Sequence, residues 1–217
     1  MKTWHWLLQI LFPARCVLCR RLLSKDETDL CRICRVEAPG YPNTKRNLQF
    51  LDSFTAVWYY EDSVRGSLLR YKFRGTRSYA SAYGRLLSMK LQQEHPAGFD
   101  VLTWVPVSRL RRLRRGYDQV ELLARAVGPE LELDPVCILK KIRHNRQQSR
   151  IADSARRRAN VLGAYRVIRP DEILGKRVLI LDDILTTGAT VGECARMLRT
   201  HGAKEVHCAA VAAVRKR

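Results

Sequence analysis

The sequence predicts an α/β fold, a parallel sheet flanked by helices, with a small cysteine-bearing module ahead of it. Three stretches carry that expectation. Residues 178–190 read V-L-I-L-D-D-I-L-T-T-G-A-T, an apolar run with β-branched members that reads as a buried strand and then breaks into a tight loop. Val191, Ala195, Met197 and Leu198 follow at helical spacing, so the unit is strand, loop, helix. Residues 54–60 and 101–108 have the aromatic and β-branched content of two further strands.

At 217 residues the chain has room for one α/β domain and a small appendage, and a hydrophobic fraction of 46% is enough for a core. The net charge of +19 speaks to partners rather than fold: nucleic acid, an anionic membrane surface or a polyphosphate substrate would all be attracted. The basic residues are concentrated. From residue 105 to residue 160 fourteen Lys or Arg stand against six Asp or Glu, and residues 140–160 hold eight against Asp153 alone. That density reads as anion contacts rather than as a solvated face. No stretch approaches the roughly twenty apolar residues of a membrane helix. The start has a lysine before an apolar run, but His5 and Gln9 interrupt it and Arg15 precedes Cys16. A cleaved leader is therefore not expected, and the cytoplasm is the default location.

Taken in order, Trp4, Leu7, Leu8 and Leu11 fall on one helical face that Pro13 ends. The simplest reading is a helix packed on the domain behind it; an interfacial membrane anchor is the alternative, although its polar face lacks basic residues. Two C-x-x-C hooks follow, Cys16 with Cys19 and Cys31 with Cys34, eleven residues apart. That spacing can place four thiolates tetrahedrally about one Zn2+, and four thiolates leave no open position, so the site is structural. Disulfides would need an oxidising compartment. Cys137, Cys194 and Cys208 read as small core residues. Pro39, Gly40, Pro42 and Asn43 mark a linker, dividing the chain into a helix and zinc module at 1–40 and the main domain at 50–217.

In the main domain Val64, Leu68, Leu69 and Phe73 follow the first strand at helical spacing, and a second helix runs over residues 79–93. Arg70, Tyr71, Lys72 and Arg74 either reach an anion or are solvated at a helix end. After the strand at 101–108 come Arg109, Arg111, Arg112, Arg114 and Arg115, then Gly116 and a helix carrying Tyr117, Gln119, Leu122 and Leu123. Ligands of open α/β sheets bind beyond the carboxyl ends of the strands, so this cluster is expected on the same edge as the loop after Asp182 and Asp183.

That loop has the chemistry of a phosphate cradle. Backbone N–H groups and a helix N-terminus converge there, Thr186, Thr187 and Thr190 add hydroxyl donors, and Gly188 lets the backbone approach a ligand. The two aspartates would repel phosphate and suit hydroxyls or a hydrated Mg2+, which together describe a ribose 5-phosphate. A Walker B strand also ends in acids but needs a G-x-x-x-x-G-K-[ST] partner that the chain lacks. Over residues 182–190 the chain resembles the motif by which type I phosphoribosyltransferases bind 5-phosphoribosyl 1-pyrophosphate (PRPP). The resemblance implies the type I phosphoribosyltransferase fold with a flexible hood, Mg2+ bound with PRPP, Asp182 and Asp183 as catalytic groups, and PRPP contacts from Thr186, Thr187, Gly188, Ala189 and Thr190. By position it also implies that Val107, Ser108 and Arg109 hold the pyrophosphate, with Arg112 beside them; a nucleic-acid backbone would use the same guanidinium groups equally well.

Residues 140–165 are polar without a clear apolar period until Asn160, the composition of a lid or mobile loop. His144 there is either an acid–base group or a solvated histidine. With the four cysteines, R-G-Y-D-Q at 115–119, Q-x-x-I at 148–151 and R-x-x-x-N-V-x-G-A-Y at 156–165, the chain resembles the ComF family of competence proteins over nearly its whole length. It departs from that family at Asp118, where asparagine is usual, and at Ser149 and Arg150. The resemblance implies a role in natural transformation, receiving single-stranded DNA on the cytoplasmic side, with Arg111, Arg112, Arg114, Arg115, Lys140, Lys141, Arg143 and Arg146 as nucleic-acid contacts. Other competence proteins, such as a DNA-uptake helicase or processing protein, are the implied protein partners. The alternative is a phosphoribosyltransferase passing ribose 5-phosphate to a nitrogenous base.

Overall fold

The computed structural model describes residues 13–42, 47–143 and 161–215. The expected N-terminal helix with Trp4, Leu7, Leu8 and Leu11 lies outside the described residues, as do residues 144–160 of the expected hood with His144 and Arg146. The side chains of Arg109 and Arg114 do too.

Four strands, β1 (Ser53–Tyr59), β2 (Val101–Trp104), β5 (Arg177–Leu185) and β6 (Glu205–Ala213), form one parallel sheet in the order β1-β6-β5-β2. A short antiparallel pair, β3 (Leu139–Lys141) and β4 (Tyr165–Val167), stands apart from it. The helices are α1 (Arg32–Glu37), α2 (Asp62–Phe73), α3 (Tyr79–Glu94), α4 (Arg109–Arg115), α5 (Gln119–Val127) and α6 (Ala189–Thr200). The sheet's axis is β5 against β6, in register from Arg177 opposite Glu205 to Leu185 opposite Ala213. Both strands are covered on both faces, hence their near-continuous apolar composition.

Side-chain alternation divides the core in two. Leu179 and Leu181 of β5 face α2, α3 and α5, whereas Val178 and Ile180 face α6 and the β3–β4 pair. Each helix presents one stripe to its face: Val64, Ser67, Leu68 and Tyr71 on α2, Val120, Leu123, Ala124 and Val127 on α5, Val191, Cys194, Ala195 and Leu198 on α6. Cys194 and Cys208 are core residues as expected, but Cys137 is exposed, because it lies in an irregular stretch ahead of β3. The arginine cluster after β2 folds as the short helix α4, with Ser108 as its N-cap and Gly116 in left-handed conformation at its end.

The cysteine module is braced against the main domain. Val17, Leu18 and Leu30 belong to the same apolar cluster as Leu68 and Tyr71 of α2. Ser67 donates to the carbonyl of Val17, Arg70 donates to the carbonyls of Val17 and Leu18, and Arg85 Nε of α3 lies 2.9 Å from Asp29 Oδ2. Pro39 and Tyr41, at the expected linker, lie on the outer edge of β1: Tyr59 N–H donates to Pro39 O at 2.7 Å and Tyr41 N–H to Val57 O at 2.9 Å. Those bonds cover an edge that would otherwise be open.

The α3–α5 crossing depends on Gly84. A Cβ there would lie 2.7 Å from the Ala126 Cβ and 2.9 Å from its carbonyl atoms. Gly84→Ala is expected to destabilise the domain by about 1–3 kcal/mol, the usual cost of overpacking a close contact, read as a lower urea midpoint at unchanged slope.

Candidate functional site

The carboxyl ends of β2 and β5 lie side by side, since Trp104 pairs with Leu181 and Val105 N–H continues to Leu181 O at 2.9 Å. A cleft of about 530 Å3 opens there. It brings together residues from α2 (Lys72, Phe73), the turn after β2 (Pro106, Val107), α4 (Arg111, Arg115), the β3–β4 pair (Lys141, Tyr165) and β5 with its loop.

Strand β5 runs through both aspartates to Leu185, so Asp182 and Asp183 are strand residues rather than loop residues. Alternation sends them to opposite faces of the sheet. Asp183, 4% exposed, points to the α2 and α5 side, where its Oδ1 is 2.8 Å from Lys72 Nζ and its Oδ2 accepts from Gln119 Nε2 at 3.0 Å. Asp182 points to the other side, and its Oδ1 accepts the Asp183 N–H at 2.8 Å. It keeps contact with the cleft, yet the surrounding protein desolvates its carboxylate and Asp183 repels it, which together push its pKa up to about 8 against the pull of Lys72. Both acids line the cleft.

The loop behind them is short. Residues 186–188 bend, and α6 begins at Ala189 with Gly188 as N-cap at φ +83°, a left-handed conformation that favours glycine. Close approach requires glycine as well, because a Cβ on Gly188 would meet Leu48 Cδ2 at 2.7 Å. Thr187 Oγ1 accepts the Ala189 N–H at 3.3 Å, while Thr186, Gly188, Ala189 and Thr190 line the cleft. The N-terminus of the twelve-residue α6 thus opens on the cleft, a setting that stabilises an anion.

Four cations, Lys72, Arg111, Arg115 and Lys141, face two carboxylates across this cleft. Arg115 lies over the Phe73 ring, 4.9 Å from its centroid, and Lys141 Nζ lies 5.2 Å from that of Tyr165. Burial lowers the pKa of both, and the charge of Arg111 adds to the lowering at Lys141. Partly desolvated cations that form no ion pair with a carboxylate among the described residues are suited to an incoming anion. Arg112 is instead turned outward, 3.7 Å from Glu121, and Lys140 and Arg143 are exposed.

Of the expected pyrophosphate turn, Val107 lines the cleft. Val107 N–H donates to Asp118 Oδ2 at 3.2 Å, and the Ser108 hydroxyl caps α4 by accepting from Arg111 N–H at 3.4 Å. Both are therefore engaged inside the protein. Asp118 also accepts the N–H groups of Val120 and Glu121 through Oδ1, so one buried carboxylate caps α5 and latches the turn after β2. The sequence offered Lys72 as one of four residues that either reach an anion or are solvated, but not its pairing, or that of Gln119, with Asp183. For Lys72 a signal existed, since it falls one turn after Leu68 at the border of the α2 apolar stripe.

The four N-terminal cysteines meet in space. The Sγ atoms of Cys16, Cys19, Cys31 and Cys34 all lie within 4.8 Å of one another, with Cys19 and Cys31 3.7 Å apart. That is too far for a disulfide and close to the spacing of about 3.8 Å that thiolates take around a tetrahedral zinc. Cys31 is also the N-cap of α1, and the Cys34 N–H lies 3.5 Å from its sulfur. The donor set fits a metal such as zinc.

Comparison with known proteins agrees with this geometry. Residues 113–217 match the phosphoribosyl transferase domain family. Competence protein ComFC of Streptococcus pneumoniae is 31% identical over 206 residues, covering 85% of this chain and 88% of that protein. Competence protein F of Haemophilus influenzae is 25% identical over 218 residues (90% and 95%), and the DNA utilization protein YhgH of Escherichia coli K12 is 28% identical over 218 residues (89% and 94%). Among the described residues no helix is long and apolar enough to cross a membrane.

Asp118→Ala removes three acceptor contacts at once. It is expected to cost about 1–3 kcal/mol and to speed hydrogen exchange at the Val107 amide, measured by urea unfolding and by exchange rates.

Proposed function

The chain belongs to the ComF family of competence proteins, and on that premise we propose that it binds PRPP in the cleft and handles incoming single-stranded DNA on the cytoplasmic side during natural transformation. One observation carries the reading: a helix N-terminus suited to phosphate, the Asp182 carboxyl and four cations line the same cleft. In this reading the 5-phosphate of PRPP sits against Thr186, Thr187, Gly188, Ala189 and Thr190. Asp182 faces the ribose hydroxyls or a Mg2+ ion, and Arg111, Arg115 and Lys141 face the diphosphate. Bound Mg2+ would neutralise charge on the diphosphate, which is what a metal supplies in this chemistry. Zn2+ belongs to Cys16, Cys19, Cys31 and Cys34, where four sulfurs leave no position for a substrate, so its part is structural.

Lys140, Arg143 and Arg112, exposed beside the cleft, are the contacts proposed for the DNA backbone together with Arg111 and Arg115. Their charge makes the strand and the diphosphate neighbours, which supports a protein that takes both. A DNA-uptake helicase or processing protein is the class of protein partner such a role calls for.

Calorimetric titration with PRPP and Mg2+, with and without single-stranded DNA, tests the reading; coupling between the two ligands is the expected outcome. PRPP affinity should rise with pH from about 6 to about 8, because binding at Asp182 displaces a proton held by its raised pKa. DNA affinity by fluorescence anisotropy should fall about 20-fold between about 50 and about 200 mM salt if three phosphates are neutralised. No heat with PRPP at any pH, or DNA binding indifferent to salt, refutes the corresponding half.

Metal analysis should find one zinc per chain. Chelation, or Cys31→Ser, should release it and lower the unfolding temperature, since Val17, Leu18 and Leu30 would lose the turn that holds them against α2. A metal-free protein of unchanged stability would contradict the zinc assignment.

A further inference from the structure

We propose that the ring of Phe73 is a stacking platform for an unpaired nucleobase, so that the protein holds single-stranded DNA by its bases as well as its phosphates and discriminates it from duplex. The inference rests on the DNA half of the reading above and adds the contact that phosphate binding alone lacks. Cations on a nucleic-acid backbone hold a duplex and a single strand alike. A flat ring does not.

Trp58, Tyr71, Tyr83 and Tyr117 are each 8% exposed or less, whereas Phe73, the last residue of α2, is 65% exposed at the wall of the cleft. A single exposed apolar residue is ordinary, but this one has company. Leu69, one turn earlier on α2, lines the same wall and is also exposed. Arg115 of α4 lies over the ring, 4.9 Å from its centroid, so the ring carries a guanidinium before any ligand arrives. Arg74, the next residue, is exposed, and Arg111 lines the cleft. The platform is also firmly mounted, since Ser67 and Arg70 tie α2 to the carbonyls of Val17 and Leu18.

An exposed ring among cations selects a ligand that joins flat apolar faces to repeated negative charge. A single strand of DNA has both, because its bases are free to turn a π face outward. A duplex has the charge, but its bases stack on one another and show only their edges in the grooves. An acidic peptide has the charge without a flat face on every unit. With the Arg115 guanidinium already against Phe73, an incoming base completes a stack of arginine, phenylalanine and base, and the same guanidinium faces the adjoining phosphate.

The test is fluorescence anisotropy on the full-length, zinc-loaded chain with three probes of equal length: an oligothymidylate, the same strand with abasic sites in place of its bases, and a duplex. Phe73→Leu keeps an apolar side chain and removes the ring. It should weaken the oligothymidylate about 10-fold, the scale of one stacked base, and leave the abasic strand and the duplex within about twofold. The dependence of log affinity on log salt should keep its slope, because no charge is removed, whereas Arg112→Gln should reduce the slope by about 0.7. Phe73→Trp should restore the affinity, and thermal melts verify the folding of each variant. Equal weakening of all three probes by Phe73→Leu, weakening of none, or a wild type that binds the abasic strand as tightly as the oligothymidylate overturns the proposal and leaves DNA binding standing. A wild type that takes free thymidine as tightly as the strand assigns the ring to a small molecule and overturns it too. If the wild type binds none of the DNA probes, the DNA reading falls and this inference with it.

Discussion

A strand covered on both faces must send successive side chains to opposite sides, and β5 obeys that constraint through its polar end as well as its apolar one. Two adjacent acids in such a strand meet different surroundings. Asp183 enters the α2–α5 side of the core, where an unpaired carboxylate would be costly, so a cation and a donor must meet it. Lys72 and Gln119 do, from two different helices. The position of α2 along the sheet and the start of α5 are thereby tied to one side chain. Asp182 is left on the other face, and its desolvation follows from the same placement.

Helix α2 carries this constraint outward. Its inner stripe packs on the sheet, Ser67 and Arg70 hold the carbonyls of the first cysteine hook, and Lys72 holds Asp183. The cysteine module is thus a brace for the helix that supplies one of the cleft's cations. The segment that follows does related work at the other wall: Pro39 and Tyr41 extend the hydrogen bonding of β1, and Leu48 packs under Gly188.

Much of this was legible in one dimension. The β5 loop and α6 were readable because their signals are local: an apolar run, a glycine, a 3.6-residue stripe. The cysteine hooks were readable because metal coordination restricts spacing. Central strand β6 was not, since E-V-H-C-A-A-V-A-A is alanine-rich and has only Val206 and Val211 as branched residues; pairing on both sides with β1 and β5 makes it a strand. The helix α4 was read only as a cluster of charge, and its Ser108 and Gly116 caps were the overlooked local signs.

By itself, then, the sequence determined the fold class, the phosphate-type loop, the cysteine cluster and the edge of the sheet on which charge would gather, because each depends on contacts within a few residues or on composition. Only the tertiary structure decided which groups are free to act. That Asp118 latches the Val107 N–H and that Asp183 pairs with Lys72 are facts about residues separated along the chain. Whether a polar group serves a ligand or the protein depends on what the fold brings within about 3 Å of it, a distance that no local pattern encodes.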